Sequence, residues 1–420
     1  MDDDETLRPT RRQYVAGGAA TLGGALLAGC MSSDTDDPRS TADGGGGASS
    51  TTTDPADDES TTDDAETTTA DVPYEACIEP AGCIEFEQIP ESYAVYNGAW
   101  ADMAFALGQR DGFETAGNMI PGFFFEPFGL SVPAQGDLPT LWSEGGWDKE
   151  SFYEIDPDVF LIDPNYLHGT GWDSSWEQSD TQEIQQNVAP FFGNNSRRRR
   201  EFHDYKLYSL YGAFEKAAEL FQERERYEAI RAVHDDLQET VQSRLPPAGD
   251  RLTVGLINGG SNADKGTFYP LNTQGEGYEM KPWRDLDVAS AFPADMEGGT
   301  IDYEKLLEVD PEILVVHWGI GTTSAEVDGF DAERFEEQYV KPMEEDGVGS
   351  QLTAVKNGNV YPGPYGEQGP LVNLLQTEML AQQLYPDEFG AFDPGAFPSV
   401  PESKRLFDRE RVRDVVAGEF

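Results

Sequence analysis

A fifteen-residue segment occurs twice in this chain, and its two copies align without a gap. They begin at Asp148 and Asp302, 154 residues apart, and share the pattern D-x-E-x-apolar-apolar-E-apolar-D-P-acidic followed by four apolar residues. Because proline cannot continue a helix and restricts the residue before it, each copy predicts a short helix leading straight into a buried strand. Two such units predict two α/β lobes of similar build with a cleft between them.

A long amphipathic stretch between the copies predicts a helix that joins the lobes. From Arg224 to Leu245, apolar residues recur at helical spacing, and Pro246-Pro247 ends the pattern. At 1.5 Å per residue this helix would be about 33 Å long, enough to reach from one lobe to the other. We therefore predict an α/β fold of two lobes, each with a central, mostly parallel sheet flanked by helices, joined by a single long α-helix. The expected bounds are 77–212 for the N-terminal lobe, 213–246 for the helical segment and 250–420 for the C-terminal lobe.

The first 72 residues predict export and anchoring rather than a folded part. Arg11-Arg12 precede a short apolar stretch that ends in Leu27-Ala28-Gly29-Cys30, which resembles a twin-arginine (Tat) export signal with a lipobox. The stretch falls short of the ~20 apolar residues that span a bilayer. We expect residues 1–30 to be the signal, Cys30 to carry the lipid, and the acidic, threonine-rich residues 31–72 to form a disordered tether.

The charge balance limits the partners. The formal net charge is −50, with 79 acidic and 29 basic residues, so repulsion disfavours nucleic acid and anionic membrane surfaces. A surface this acidic is typical of a halophilic protein, whose self-repulsion is screened by salt. Cys77 and Cys83, separated by a Pro-containing turn sequence, are expected to form a local disulfide outside the cell, with reduced or metal-bound thiols as alternatives.

The loops that follow the predicted strands are where a ligand is expected, since open α/β sheets bind ligands beyond the carboxyl ends of their strands. These loops supply the candidate cleft residues, which are Tyr96, Trp100, Tyr166, His168, Trp172, Arg284 and Trp318. Aromatic walls suit a flat, bulky organic ligand, although some rings could instead pack the lobe edge. The run Arg197–Arg200 could attract an anionic ligand or form a solvated face. Residues 119–147, rich in glycine, proline and aromatics, predict a surface loop or lid.

Neither a metal centre nor a catalytic centre is predicted, with a ferric ion held by tyrosines and His168 as the alternative. The four histidines are scattered along the chain, at 168, 203, 234 and 317, whereas zinc and manganese sites need clustered ligands. No G-x-S-x-G, H-E-x-x-H or P-loop pattern occurs. An extracellular hydrolase and a surface receptor or adhesin with a non-binding cleft remain the alternatives of other classes.

Taken in order along the chain, these features resemble the substrate-binding proteins of iron-chelate and vitamin B12 ABC importers, whose two lobes are joined by one long helix. The resemblance covers roughly residues 86–386. It rests on the signal and lipobox, the two repeat copies and the spanning helix. Two later segments add to it, the turn and strand at 354–361 and the leucine-rich helix from Pro370 to Tyr385.

The resemblance implies a function and a set of partners. The protein would bind a ferric siderophore or similar iron(III) chelate, with cobalamin or heme as alternatives, and would need no intrinsic cofactor. A glutamate on each lobe, Glu150 and Glu304 by motif position, would dock onto an ABC permease dimer that works with its ATPase. We expect a monomer, lipid-anchored on the extracellular face of the cytoplasmic membrane.

Overall fold

The computed structural model describes residues 73–115, 117, 120–133, 135–143, 145–322 and 329–420. The predicted export signal, the lipidation site Cys30 and the tether lie outside the described residues. Among the described helices, none is both long enough and apolar enough to cross a membrane.

The N-terminal lobe, taken as the part of the chain before the long helix, has a parallel sheet at its centre. Its strands are β1 (Tyr74–Ile78), β2 (Gly82–Phe86), β3 (Tyr93–Val95), β4 (Phe113–Thr115), β5 (Trp142–Ser143), β6 (Gly146–Trp147) and β7 (Val159–Leu161). Its helices are α1 (Gly98–Ala106), α2 (Lys149–Ile155), α3 (Tyr166–Gly169), α4 (Gln178–Asn187) and α5 (Leu210–Phe221). Strands β4, β3 and β7 form the sheet in that order. β1 and β2 form an antiparallel ribbon in which Cys77 lies opposite Cys83 and is joined to it by a disulfide.

The helix α6 (Arg224–Arg244) follows and leads into the C-terminal lobe. The strands there are β8 (Thr253–Asn258), β9 (Pro270–Leu271), β10 (Ala289–Ser290), β11 (Leu314–His317) and β12 (Val360–Pro362). The helices are α7 (Lys281–Asp285), α8 (Tyr303–Val309), α9 (Gly319–Thr322), α10 (Ala332–Phe335), α11 (Lys341–Glu345), α12 (Thr353–Lys356), α13 (Pro370–Leu384), α14 (Pro386–Phe389) and α15 (Arg409–Ala417). Strands β10, β8, β11 and β12 are parallel, and β9 adds to β8 in the antiparallel sense.

The repeated segment folds the same way in both lobes. Asp148 and Asp302 accept backbone N–H bonds as the N-caps of α2 and α8, which are seven residues each. Both helices end at an aspartate in the left-handed region, Asp156 at φ 41° and Asp310 at φ 44°, a conformation that aspartate tolerates better than most residues. A proline then prevents continuation, and the buried strand begins within a few residues. The repeat thus encodes one helix-to-strand unit used twice, and the two-lobe α/β prediction is confirmed.

The segment 119–147, predicted as a surface loop or lid, is buried at its aromatic part, whereas the described residues between 129 and 140 are exposed or half-buried. It forms short 3₁₀ turns, among them Glu126–Phe128, and Phe124 and Phe128 are almost fully buried. The end of the chain covers it: the Phe407 ring lies 6.3 Å from the Phe128 ring, and α15 packs on both this turn and α6. Position along the chain placed residues up to 420 with the C-terminal lobe. The helix α15 packs on α6 and the N-terminal lobe, while Arg409 also pairs with Glu378 of α13 in the C-terminal lobe.

A buried carboxylate ties α1 to the start of α13. Asp102 accepts hydrogen bonds from the backbone N–H groups of Gly369, Leu371 and Val372 at 2.7, 3.1 and 3.1 Å. Gly369 is required by this approach, because a Cβ there would lie 2.6 Å from the Asp102 Cβ. Burial raises the pKa of Asp102 to about 7, although its three N–H bonds favour the charged form.

Because this pKa is raised, the protein should lose stability as the pH rises from about 4 to about 7, since only the unfolded chain ionises Asp102 within that window. Each pKa unit is worth about 1.4 kcal/mol. Asp102→Asn cannot ionise but keeps an acceptor oxygen. Thermal unfolding from pH 5 to pH 8 should therefore show the wild type losing stability relative to this variant. Asp408→Asn, at the exposed N-cap of α15, is the matched control, and parallel curves for Asp102→Asn and the wild type would contradict the expectation.

Candidate functional site

The site lies where strands of both sheets end. Tyr96 follows β3, and Trp318 follows β11 directly. Because the strands concerned are parallel, their carboxyl ends share one edge of each sheet, where the loops converge.

Three rings from the N-terminal lobe form one side of the site, and we call them the N-terminal aromatic group: Tyr96, Tyr166 and Trp172. The ring centroids of Tyr96 and Tyr166 are 5.4 Å apart, and Trp172 lies 6.4 Å from the first and 5.5 Å from the second. Tyr96 and Tyr166 are buried, whereas Trp172 is 44% exposed. The group therefore has one solvent-exposed ring, Trp172, which packs against two buried tyrosine rings.

Trp318 and Tyr365, which follow β11 and β12, form a ring pair that we call the C-terminal aromatic group. Their centroids are 4.5 Å apart. Trp318 has φ 69°, a left-handed conformation that is rare for a bulky residue and is usually maintained only at functional positions. Its neighbour Gly366 could not carry a side chain, because a Cβ there would lie 2.3 Å from the Trp318 ring.

A buried charge network connects the two lobes beneath these rings. The guanidinium of Arg197, from the N-terminal lobe, donates to Glu279 at 2.7 Å and to Glu367 at 3.0 Å. Asn97 donates to Glu367 at 3.0 Å, and His317 Nε2 lies 3.2 Å from Glu279. The Arg197 Cζ is 4.9 Å from the centre of the Trp318 ring. We call Arg197, Glu279 and Glu367 the inter-lobe charge network.

The two glutamates of the network have opposite pKa shifts. Burial raises the pKa of Glu279, but Arg197 and His317 more than offset it, so the pKa is lowered overall. Glu367 shares the same arginine and also feels the charge of Glu279, so burial prevails and its pKa is raised. Burial also lowers the pKa of Arg197, yet the two carboxylates raise it overall. The arginine therefore stays charged, and its positive charge favours the ionised form of both buried glutamates.

The predicted ligand residues Tyr96, Tyr166 and His168 have pKa values shifted toward their neutral forms. Burial raises the pKa of Tyr96 and Tyr166 and lowers the pKa of His168. Raised phenol pKa values disfavour the phenolate that a bare ferric ion would need. Within the described part of the chain, the one close group of three potential metal ligands is Glu75, Cys77 and Cys83, and its two cysteines form the disulfide.

The remaining predicted cleft residues lie elsewhere. Trp100 is buried in the N-terminal lobe, with its indole N–H donating to the carbonyl of Asn194. The two Nη groups of Arg284 donate to the carbonyls of Gly275 and Gly277. Because both arms of that guanidinium are engaged by backbone, its ligand role stays a prediction that these contacts do not support.

Several residues of the site have no local sequence pattern that would have indicated them. Glu279, Glu367 and Tyr365 sit in irregular loops, and Arg197 was visible only as part of a basic run whose role was open. The one indication in the sequence was a run of arginines in a very acidic chain. It pointed to Arg197 but not to Glu279, Glu367 or Tyr365.

The two repeat glutamates lie on the outside of the lobes. Glu150 and Glu304 are exposed in the first turns of α2 and α8.

The sequence and fold resemble known proteins. A family model described as periplasmic binding protein matches residues 94–365. One similar solved structure is the iron uptake ABC transporter substrate-binding protein PiuA of Streptococcus pneumoniae, with 16% identity over 74% of this chain and 99% of that chain and a TM-score of 0.51. Another is Helicobacter pylori CeuE in its Ni-His complex, with 11% identity over 79% of this chain and 98% of that chain and a TM-score of 0.50. No curated protein matches the chain.

Proposed function

Because the chain belongs to the periplasmic binding protein family, we propose that it is the substrate-binding protein of an ABC importer and captures an iron(III) chelate such as a ferric siderophore. The observation that carries this proposal is the pair of aromatic groups, one from each lobe, each at the carboxyl edge of its own sheet. Rings on two sides, with Trp172 open to solvent, suit a bulky organic ligand that buries its faces against them. PiuA, an iron uptake protein, has the same fold.

A chelate fits these residues better than a bare metal ion does. His317 already contacts Glu279, and Glu279 is paired with Arg197. A cation entering there would meet the charge of that arginine. The protein's task is therefore to bind and hand over its ligand, which requires no covalent step.

Delivery would use the two exposed glutamates. Glu150 and Glu304 occupy equivalent positions on equivalent helices, so they offer a permease dimer one matched carboxylate from each lobe. We further propose that the predicted signal and lipobox export the chain by the Tat route and anchor it through Cys30 on the extracellular face of the membrane. The tether would then let the binding domain reach its importer.

A thermal-shift panel in multimolar salt tests the proposal. The ligands are ferric hydroxamates, ferric catecholates, heme, cobalamin and free metal ions. A chelate should raise Tm by mass action, because it binds only the folded protein. If only free metal ions raise Tm, or if no ligand does, the proposal fails. If only cobalamin or heme raises Tm, the role in an ABC importer stands and the ligand is not an iron(III) siderophore.

Trp172→Ala should lower the affinity for the ligand that raises Tm about tenfold, or 1.4 kcal/mol, because the substitution removes one aromatic wall of the site. The ring is 44% exposed, so the unliganded Tm should hardly change. Tyr153→Ala, which removes an aromatic ring that is 43% exposed on α2, is the matched control and should bind ligand as the wild type does. An unchanged affinity in Trp172→Ala would place the ligand elsewhere.

A further inference from the structure

A histidine and a lysine meet where the joining helix packs on the C-terminal lobe. His234 lies on α6 and Lys281 begins α7, and the His234 Nε2 atom is 2.9 Å from the Lys281 Nζ atom. Lys281 also donates to Asp285 at 2.6 Å, one turn further along α7, and this ion pair favours its ammonium form. Each of the three side chains is only 13% exposed. A contact between a mostly buried ammonium and an imidazole is favourable for only one charge state of the imidazole.

The hydrogen bonds determine which nitrogen of the His234 ring carries the proton. An ammonium group has donors and no acceptor, so the Nε2 atom that faces Lys281 must be the unprotonated nitrogen. The ring proton then lies on Nδ1, which is 3.1 Å from a carboxylate oxygen of Asp235. His234 is therefore neutral in this arrangement and is the acceptor for the lysine.

The neighbouring elements surround this pair with few charges. On α5, the Tyr211 ring lies 4.1 Å from the His234 ring and 5.6 Å from the Lys281 ammonium, and burial raises the pKa of this phenol, so it stays neutral. On α13, the Thr377 hydroxyl donates to Asp285 at 3.4 Å. The nearest cation to the ring is therefore the lysine itself.

Other charged side chains on the elements packed against this cluster have partners of their own: Arg231 pairs with Asp235, Arg411 with Asp236, Glu378 with Arg409, Arg284 donates to backbone carbonyls, and Asp102 accepts from the start of α13. Asp235 is 61% exposed, so water screens its attraction for a proton on His234. A second proton on the ring would thus meet the lysine at contact distance and only a screened anion beside it.

The contact depends on pH in a defined direction. Burial and then the charge of Lys281 lower the pKa of His234 below its ordinary value of 6.5, against the opposing effect of Asp235 and Asp285. Because the pKa is lower in the folded protein than in the unfolded chain, the stability from neutral His234 is present above about pH 6.5 and is lost as the pH falls.

The lysine is connected through the backbone to the inter-lobe charge network. Its N–H group donates to the Tyr278 carbonyl at 3.0 Å, and the Tyr278 hydroxyl donates to Glu367 at 2.7 Å. Glu279, the other carboxylate of that network, directly follows Tyr278. A displacement of the start of α7 therefore acts on both carboxylates that Arg197 binds.

We propose that His234, Lys281 and Asp285 form an acid-sensitive latch that holds the start of α7 against the joining helix. At neutral pH the His234 ring accepts from Lys281 and the latch is closed. A proton on Nε2 repels the lysine, so the start of α7 loosens and the inter-lobe charge network loosens with it. The latch depends on these side chains alone and is independent of which ligand the protein binds.

Hydrogen exchange of the full chain in multimolar salt tests the latch, because it reports on residues 278–288 separately. Global stability would mix this effect with that of Asp102, whose raised pKa gives the opposite trend. After correction for the pH dependence of the intrinsic exchange rate, the protection of this segment should fall about tenfold from about pH 7.5 to about pH 5, since the open form gains its proton near pH 6.5.

Three variants identify the groups responsible. His234→Gln keeps a neutral acceptor and cannot gain a proton, so the protection of residues 278–288 should be the same at both pH values. Lys281→Gln removes the cation that the proton would meet, and it should also abolish the loss. His168→Gln, which removes another half-buried histidine with a lowered pKa from α3, is the matched control and should keep the loss.

The latch is overturned if the wild type shows constant protection of residues 278–288 across this pH range. It is also overturned if the acid loss persists in His234→Gln or in Lys281→Gln, or if it disappears in His168→Gln. Each of these outcomes would leave the proposed function standing, because none of the measurements involves a ligand.

Discussion

Replacing Arg197 with methionine should lower the free energy of unfolding by about 3–5 kcal/mol, the usual loss when one partner of a buried ion pair is removed. The side chain is 10% exposed, and its partners Glu279 and Glu367 are 4% and 0% exposed. Without the guanidinium, both carboxylates would be buried without their shared cation. Because the network is buried, salt cannot replace that cation. Equilibrium unfolding in multimolar salt measures the loss.

The loss should depend on pH in a defined direction. Without Arg197, the buried glutamates would have pKa values raised above those of the unfolded chain. The penalty should therefore be small near pH 4.5, where the unfolded glutamates also hold protons, and should grow as the pH rises. A loss that is constant from pH 5 to pH 8 would contradict the assigned cause.

Two further variants control this experiment. Arg224→Met removes an arginine that is 60% exposed and paired with Glu228, and it should cost less than about 1 kcal/mol. Adding Glu279→Gln and Glu367→Gln to Arg197→Met should restore part of the stability, because no uncompensated charge then remains. Similar losses in the Arg197 and Arg224 variants would show that the network is not a major source of stability.

The double variant Glu150→Ala/Glu304→Ala should abolish uptake of the bound ligand while leaving its affinity intact. Both carboxylates are exposed at the starts of equivalent helices, so truncating them should not disturb the cleft. Transport into cells or vesicles that contain the cognate permease, compared with ligand titration, separates the two effects. Each single variant should lose part of the uptake, since one matched contact would remain.

The repeat supplies its own control. Glu154 and Glu308 occupy the seventh position of the same two segments and are also exposed. Glu154→Ala/Glu308→Ala removes the same net charge from the same helices, so its uptake should match that of the wild type. Loss of ligand affinity in the Glu150/Glu304 variant, or equal uptake defects in both double variants, would remove the docking role.

Much of the fold followed from local pattern. The Asp-Pro step predicted where both repeat helices stop, and Asp156 and Asp310 end them as expected. The joining helix was predicted from Arg224 to Leu245 and is observed from Arg224 to Arg244. Caps, proline and apolar spacing act within a few residues of one another, so a single sequence contains them.

The site was predictable only in part. The structure brings together Tyr96, Tyr166 and Trp172, as the rule on strand ends suggested. It places Trp100 in the lobe interior and Arg284 on backbone carbonyls. A ring that follows a strand can face the other lobe or pack inside its own lobe. The outcome depends on the backbone and side-chain torsion angles, which the residue type does not specify.

By itself, the sequence determined the order of the elements, the duplicated helix-to-strand unit and the helix between the lobes, because these depend on neighbours along the chain. Only the tertiary structure decided the inter-lobe charge network. Arg197 meets Glu279 across 82 residues and Glu367 across 170. An ion pair between such distant residues exists only because the two lobes pack against each other, and no local periodicity records that packing. The same packing pairs Arg197, Arg198 and Arg199 with glutamates of the C-terminal lobe.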